Sequence, residues 1–152
     1  MNPQLQKIYN AAKGGLGEHL TLNHLVPAEV GCCEAVSKVL SLAGFPVPAE
    51  GIPNTLSLYT WLKSNPNFTE IGEPEPGAIL VSTANPTGSG IVSGHTGVFG
   101  QLGAEYTGDF GIMSNNSDSG VFLELWSWKN WQKYFIEYGK LETGIFLAVG
   151  IN

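Results

Sequence analysis

The order of patterns along the chain predicts an α+β fold. Apolar residues recur at helical spacing up to about residue 64, and short apolar stretches divided by turns follow. Twenty glycines and nine prolines agree with a chain that turns often. Helices followed by a run of strands are typical of helices that pack on an antiparallel sheet. Because 152 residues suffice for one substantial core, we expect a single domain.

Three helices are predicted in the first part of the chain. The first covers residues 3–12, and the second covers residues 31–43 and ends at a glycine. Residues 16–30 between them are predicted as a loop. Asn54 is a typical N-cap for the third helix, residues 55–64. The apolar positions of each helix fall on one face, so each helix can pack inward.

About five short strands and one last helix are predicted in the second part. Ser127 is a typical N-cap for that helix. We interpret Trp126, Trp128 and Trp131 as core and cleft rim, with stacking on a sugar as the alternative. Residues 85–90 are predicted as a long hairpin connection. The predicted strands are residues 78–82, 95–99, 110–113, 121–125 and 145–149.

Charge and hydropathy argue against several kinds of partner. The net charge is −6 with only seven basic residues, so we expect no nucleic-acid partner, which would need a basic stripe. No apolar run is long enough for a membrane span. No secretory signal is visible at the N-terminus, and we therefore expect synthesis in the cytoplasm.

Cys32 and His95 are the parts of a nucleophile and its base. Cys32 lies at the start of the second predicted helix, where unpaired N–H groups and the helix dipole favour thiolate over thiol. His95 opens a predicted strand between Gly94 and Gly97, and such glycines indicate that something approaches the backbone closely. An imidazole beside the thiol would complete an activated pair.

Each of these residues also has an ordinary structural interpretation. A buried cysteine is usually a small core residue, and a lone strand histidine is usually a hydrogen-bonded structural residue. Cys33 lies beside Cys32 and competes for the nucleophile role. His19 and His24 have no further ligand at metal-binding spacing, so we expect no metal and no other cofactor.

Four motifs in a fixed order resemble a known family. Together they are similar to the papain-like cysteine hydrolases of bacterial cell walls, the NlpC-type peptidases and the CHAP amidases. The resemblance covers residues 30–125. The family places alanine and valine three and four residues after its nucleophile, which favours Cys32 over Cys33. The motifs are Cys32-Cys-Glu-Ala35-Val36, Ala43-Gly44-Phe-Pro46, Pro76-Gly-Ala-Ile-Leu80 and Gly94-His95-Thr-Gly97-Val98.

The resemblance implies a fold, a reaction and a partner. The fold would be papain-like, with N-terminal helices packed on a central antiparallel sheet of about five strands. The reaction would be hydrolysis of an amide in the stem peptide of peptidoglycan, as an endopeptidase or an amidase, by a Cys-His-Asn mechanism. Two departures are Ala78, where the family often has an acidic residue, and Cys33, where a small residue is usual.

The third member of such a site orients the imidazole, and the resemblance assigns it to the strand after His95. Asn115 and Asn116 lie there, and an amide oxygen can accept the ring N–H. Strand alternation sends them to opposite faces, and we predict Asn115 in this role, although both are also typical turn formers. Glu70, Glu73 and Glu75 alternate with prolines and glycine and are interpreted as a solvated loop, not an acid/base pair.

Two other functions remain open from the sequence. One alternative is a deamidase or acyltransferase that uses the same site on a different substrate. The other is a structural protein that has the same fold without activity. For a wall hydrolase we expect a monomer that acts after lysis, after injection or as part of a phage particle, with a virion or immunity protein as a further partner. The net charge of −6 gives no long-range attraction to an anionic wall.

Overall fold

The computed structural model describes residues 2–20, 31–83, 92–102 and 109–150. Within them the chain forms four α-helices and one antiparallel sheet of six strands. The helices are α1 (Pro3–Gly15), α2 (Cys32–Leu42), α3 (Thr55–Ser64) and α4 (Trp128–Trp131), and α4 continues into the π-helical segment Gln132–Tyr138, here the π segment. The strands are β1 (Phe68–Ile71), β2 (Ile79–Thr83), β3 (His95–Leu102), β4 (Phe110–Asn115), β5 (Phe122–Ser127) and β6 (Glu142–Ala148).

The α+β prediction is confirmed, with one strand more than expected. The additional strand is β1, which has four residues and lies at an edge of the sheet. The interpretation of Glu70 as part of a loop is wrong, because Glu70 lies in β1 and its carboxylate is 3.6 Å from the ammonium of Lys63. Glu73, outside the strand, is exposed as expected.

The strands lie in the order β1-β6-β2-β3-β4-β5. Strands β2 to β5 form a meander, and β6 returns to lie between β1 and β2. Every residue of β2 is buried, since this strand lies inside the sheet with packed layers on both faces. In the β2–β3 register Ser82 lies opposite His95. Because of this pairing, Ser82 is a neighbour of His95 on the same face of the sheet.

Two hydrophobic layers cover the two faces of the sheet. Helices α1, α2 and α3 pack on one face, called here the helix face, against alternate strand residues that include Val81, Val98 and Met113. On the other face, called here the aromatic face, Trp131 and Phe135 cover the remaining strand residues. His95 belongs to the aromatic face because side chains alternate along β3.

Local signals explain where the helices begin and end. Asn2, Asn54 and Ser127 each accept a hydrogen bond from a backbone N–H in the first turn of α1, α3 and α4, as N-caps do. Gly44 follows α2 with a φ of +93°, a left-handed conformation that glycine adopts without steric cost. The predicted N-caps Asn54 and Ser127 and the predicted end of α2 are therefore confirmed.

Three sequence predictions fall partly or wholly on residues 21–30 and 84–91. Most of the predicted 16–30 loop, His24, and the 85–90 hairpin connection lie outside the described residues. Among the helices that are described, none is both long and apolar enough to cross a membrane.

A side chain at Gly97 would disturb the centre of the sheet. A Cβ added there would lie 2.7 Å from the Met113 carbonyl oxygen and 2.7 Å from Ile112 Cγ2, so the backbone of β4 would have to move. We expect Gly97→Ala to lower the free energy of unfolding by about 1–3 kcal/mol in urea titrations. The control is Gly14→Ala in α1, where a Cβ meets nothing within 4 Å. That change should stabilise the protein by about 0.5–1 kcal/mol, and equal effects of the two would contradict the packing argument.

Candidate active site

Cys32 is the first residue of α2 and is half-buried. Gly31 precedes it as N-cap, and no side chain of the described residues caps this end of the helix. The first N–H groups of an α-helix have no partner within the helix itself, and they favour a neighbouring anion. Cys33, one step further around the helix, is 2% exposed and packs in the core of the helix face. Both cysteines are free thiols.

His95 meets Cys32 at the edge where β3 and α2 both begin. The imidazole forms a hydrogen bond with the Cys32 side chain, and the backbone N–H of Thr96 donates a second one to the sulfur. Ser93 and Gly94 precede the strand and lie beside the thiol in the same pocket. The two residues that the sequence predicts as nucleophile and base are therefore in direct contact.

The surroundings of Cys32 lower its pKa well below that of an ordinary thiol. The hydrogen bond from the Cys33 thiol is the largest cause, and burial opposes it. The hydrogen bond and positive charge of His95 and the N–H of Thr96 lower the pKa further. The pKa of Cys33 is raised, because its proton is held by Cys32 and its sulfur is buried among apolar side chains. These opposite shifts favour the thiolate form on Cys32 and the protonated form on Cys33.

Ser114 holds the other side of the imidazole. Its Oγ lies 3.1 Å from Nε2 of His95, and its side chain is 4% exposed. Ser114 reaches the ring because Gly97, two residues after His95 on the same face, has no side chain there. A Cβ at that glycine would lie only 3.0 Å from Cβ of Ser114. The glycine is thus needed for the hydrogen bond as well as for the sheet.

Two aromatic rings lie against the face of the imidazole. The Trp131 and Phe135 ring centroids are 5.3 and 5.7 Å from that of His95, and both rings are within 26° of parallel to it. Trp131 is fixed in turn, because its indole N–H donates a 2.8 Å hydrogen bond to Ser82 Oγ. Ser82 Oγ is also 2.7 Å from Thr143 Oγ1. The aromatic layer therefore packs against one face of the imidazole and is itself held by the sheet.

The pair opens into a pocket of about 800 Å³. Both cysteines, His95, Ser114 and Asn115 line it near the sulfur. Side chains from β5, α4 and the π segment form the opposite wall, and Pro53, Asn54 and Thr55 at the start of α3 close one side. This volume is in the range of small-molecule binding sites.

Asn115, the predicted third residue, lies in the same pocket and is 6% exposed. The residue that contacts Nε2 of His95 is its neighbour Ser114. The role predicted for Asn115 stays a prediction. Asn116 is a turn former, since its Oδ1 accepts the backbone N–H groups of Asp118 and Ser119.

His19 is not among the residues that line the pocket. Its Nδ1 is 3.1 Å from the carbonyl oxygen of Gly120. Of the His, Cys, Asp and Glu side chains that the structure describes, no three come together in a way that would hold a metal ion.

The sequence interpretation missed Ser114 and the role of the rings beneath His95. A polar residue in the otherwise apolar run Phe110-Gly-Ile-Met-Ser114 was the available signal. Because side chains alternate along a strand, Ser114 lies on the same face of the sheet as Ile112. Whether His95 lies on that face too depends on the β3–β4 register, which is a long-range property. Nothing in the local sequence indicated that Trp131 and Phe135 would stack on His95.

The comparisons with known proteins add no assignment. No protein-family model matches this sequence, and no curated protein matches it. The resemblance carried by the four sequence motifs therefore stays a prediction.

We expect the Cys32 thiol to be alkylated by iodoacetamide with a rate that stays high below pH 8.5, the ordinary midpoint of a free thiol. The measurement uses Cys33→Ser, which keeps an O–H donor beside Cys32 and leaves one thiol to follow by mass spectrometry. Cys33→Ala removes the donor and His95→Ala removes the charge, so each should move the midpoint to higher pH. A midpoint near 8.5 in the Cys33→Ser protein would show that Cys32 is not activated.

Proposed function

We propose that this protein is a cysteine hydrolase of the papain-like NlpC/CHAP kind, which cleaves an amide bond in the stem peptide of peptidoglycan. The observation that carries the proposal is the hydrogen-bonded contact between Cys32, at the start of a helix, and His95, within an open pocket. A merely structural cysteine and histidine have no need of such a pocket. The substrate is suggested by the sequence motifs that resemble the cell-wall hydrolases.

The reaction follows from the positions of these groups. The Cys32 thiolate attacks the amide carbonyl carbon, and the negative charge that develops on oxygen is stabilised by the Cys32 backbone N–H at the start of α2. His95, as imidazolium, gives its proton to the leaving amine as the C–N bond breaks. Water then adds to the thioester while His95 takes a proton, which releases the carboxylic acid and the thiolate.

Ser114 and the aromatic layer set the orientation of His95 in this scheme. With Nε2–H donating to Ser114 Oγ, the other ring nitrogen is left for the thiol and the leaving group. Trp131, anchored to Ser82, blocks rotation of the ring away from that position. The imidazole is therefore held before substrate enters, which reduces the reorganisation needed in the transition state.

Digestion of purified peptidoglycan tests the proposed function. We expect soluble fragments with newly formed amino termini, identified by mass spectrometry. Cys32→Ser should release none, because a serine hydroxyl in this site lacks the lowered pKa of the thiol, and its thermal unfolding should match that of the parent. Lys38→Ala, outside the pocket, is the control for handling and should retain full activity.

The outcomes separate this function from its alternatives. Absence of fragments together with rapid alkylation of Cys32 would point to a cysteine enzyme with another substrate, such as a deamidase or acyltransferase. Absence of both would point to a protein that keeps the fold without the chemistry. Equal activity of Cys32→Ser and the parent would exclude the thiol mechanism.

The two candidates for the residue that orients His95, Ser114 and Asn115, can be distinguished by the effect of their substitution on kcat. If Ser114 orients the imidazole, Ser114→Ala should lower kcat by about tenfold with little change in KM, since one hydrogen bond of about 1.4 kcal/mol in the transition state corresponds to that factor. Asn116→Ala should have little effect, because that side chain stabilises its own turn. A larger loss of kcat in Asn115→Ala than in Ser114→Ala would give the orienting role to Asn115, as the sequence predicts.

A further inference from the structure

The chain carries a second thiol directly beside the candidate nucleophile. Cys32 and Cys33 are adjacent residues of α2, and both line the pocket. The Cys33 thiol donates a hydrogen bond to the Cys32 sulfur, so the two sulfur atoms are already in contact. The hydrolysis proposed above forms and breaks bonds at Cys32 alone. Cys33 is therefore a second sulfur in the site without a bond-forming step of its own.

Cys32 has the surroundings of a thiol that peroxides oxidise. It is half-buried at the wall of a pocket of about 800 Å³, which is open to a molecule as small as hydrogen peroxide. The thiolate is the form that attacks a peroxide, and the contacts with His95 and the N–H of Thr96 favour it. Cys33 is only 2% exposed and its pKa is raised, so oxidation begins at Cys32.

The first product of this oxidation is a sulfenic acid on Cys32. The thiolate attacks one oxygen of the peroxide, and an S–O bond forms as the O–O bond breaks. The departing hydroxide takes a proton from His95 and leaves as water. The sulfur is oxidised by two electrons and the peroxide is reduced by two.

Cys33 lies in the position to convert this acid into a disulfide. Its sulfur attacks the Cys32 sulfur, an S–S bond forms as the S–O bond breaks, and the Cys33 proton leaves with the oxygen as water. No further oxidant is needed. The pKa of Cys33 is raised by its hydrogen bond to Cys32, by burial and by the negative charge on Cys32. The first and the last of these causes disappear when Cys32 is no longer a thiolate, so the oxidation itself activates the second thiol.

A disulfide between neighbouring residues is strained, and strained disulfides are easily reduced. Neighbouring Cα atoms lie about 3.8 Å apart, whereas most disulfides span roughly 4.4–6.8 Å. Closing the ring therefore requires the peptide unit between the two cysteines to tilt. The start of a helix tolerates such a tilt, because the N–H of Cys33 has no acceptor within the helix and only the carbonyl of Cys32 loses a helical hydrogen bond.

We propose that Cys32 and Cys33 form a peroxide-sensitive dithiol site, in which a hydroperoxide oxidises Cys32 and Cys33 then closes a reversible disulfide. The disulfide occupies the nucleophile and removes its hydrogen bond with His95, so hydrolysis stops until a dithiol reduces the bond. It also keeps Cys32 from reaching the sulfinic and sulfonic acids, which thiols do not reverse. The loss of activity rests on the proposed function, whereas the oxidation is followed by mass and does not depend on any substrate.

Mass spectrometry of the full chain after treatment with hydrogen peroxide tests the site. We expect the protein to lose two hydrogen atoms, with peptide mapping that places the bond between Cys32 and Cys33. Dithiothreitol should then restore both free thiols. An unreacted protein, a disulfide-linked dimer, or a product that gains oxygen instead of losing hydrogen would each overturn the proposal. None of these outcomes bears on whether peptidoglycan is cleaved, so the proposed function is tested separately.

Variants of each cysteine show which thiol closes the disulfide. Cys33→Ser and Cys33→Ala should gain one oxygen atom at Cys32, which dimedone captures as a sulfenic acid, and then further oxygen that dithiothreitol does not remove. Cys33→Ala keeps the apolar packing, so agreement between the two variants excludes an effect of folding. In Cys32→Ser, the buried Cys33 should remain a thiol under the same treatment. Equal recovery of the Cys32 thiol in Cys33→Ala and in the parent would overturn the role of Cys33.

Discussion

Cys32 and His95 are in contact because α2 and β3 begin at the same edge of the sheet. The layers that support the two residues lie on opposite faces of the sheet. Helix α2 packs on the helix face, whereas His95 lies over Trp131 and Phe135 on the aromatic face. The sheet itself would separate a residue further along α2 from one further along β3. The first residue of α2 and the first residue of β3 can contact each other because both lie at the end of β3. The register that places Ser82 opposite His95 then fixes Trp131, and through it the imidazole.

The two adjacent cysteines have opposite properties because one step along a helix changes what a side chain faces. The hydrogen bond to Cys32 and burial in the apolar core raise the pKa of Cys33, whereas hydrogen bonds from Cys33, His95 and Thr96 lower the pKa of Cys32. Burial alone would raise both pKa values. The hydrogen bonds from Cys33, His95 and Thr96 lower the pKa of Cys32 in spite of burial. The assignment of the nucleophile role to Cys32 and not to Cys33 stays a prediction.

Local patterns predicted the parts of this structure that local forces determine. The third helix has the predicted bounds, since Asn54 caps it and its apolar residues recur at helical spacing. β1 was missed because a four-residue edge strand with two exposed positions carries almost no pattern. Ser114 was missed for a different reason. Its role depends on the pairing of β3 with β4, and a shift of one residue would turn its side chain away from His95.

The distribution of charge bears on two separate steps, which are the approach of a substrate over a distance and its binding in the pocket. All seven lysines lie outside the pocket, and the net charge is −6, so an anionic surface exerts no long-range attraction on the chain. The lining of the pocket offers short-range contacts in place of charge, namely aromatic rings and asparagine side chains. The rings of Trp126 and Tyr134 belong to β5 and the π segment, and the π segment also carries Phe135 beneath His95. The π segment therefore lines the pocket and packs against the imidazole at the same time, so a change in its packing would affect both.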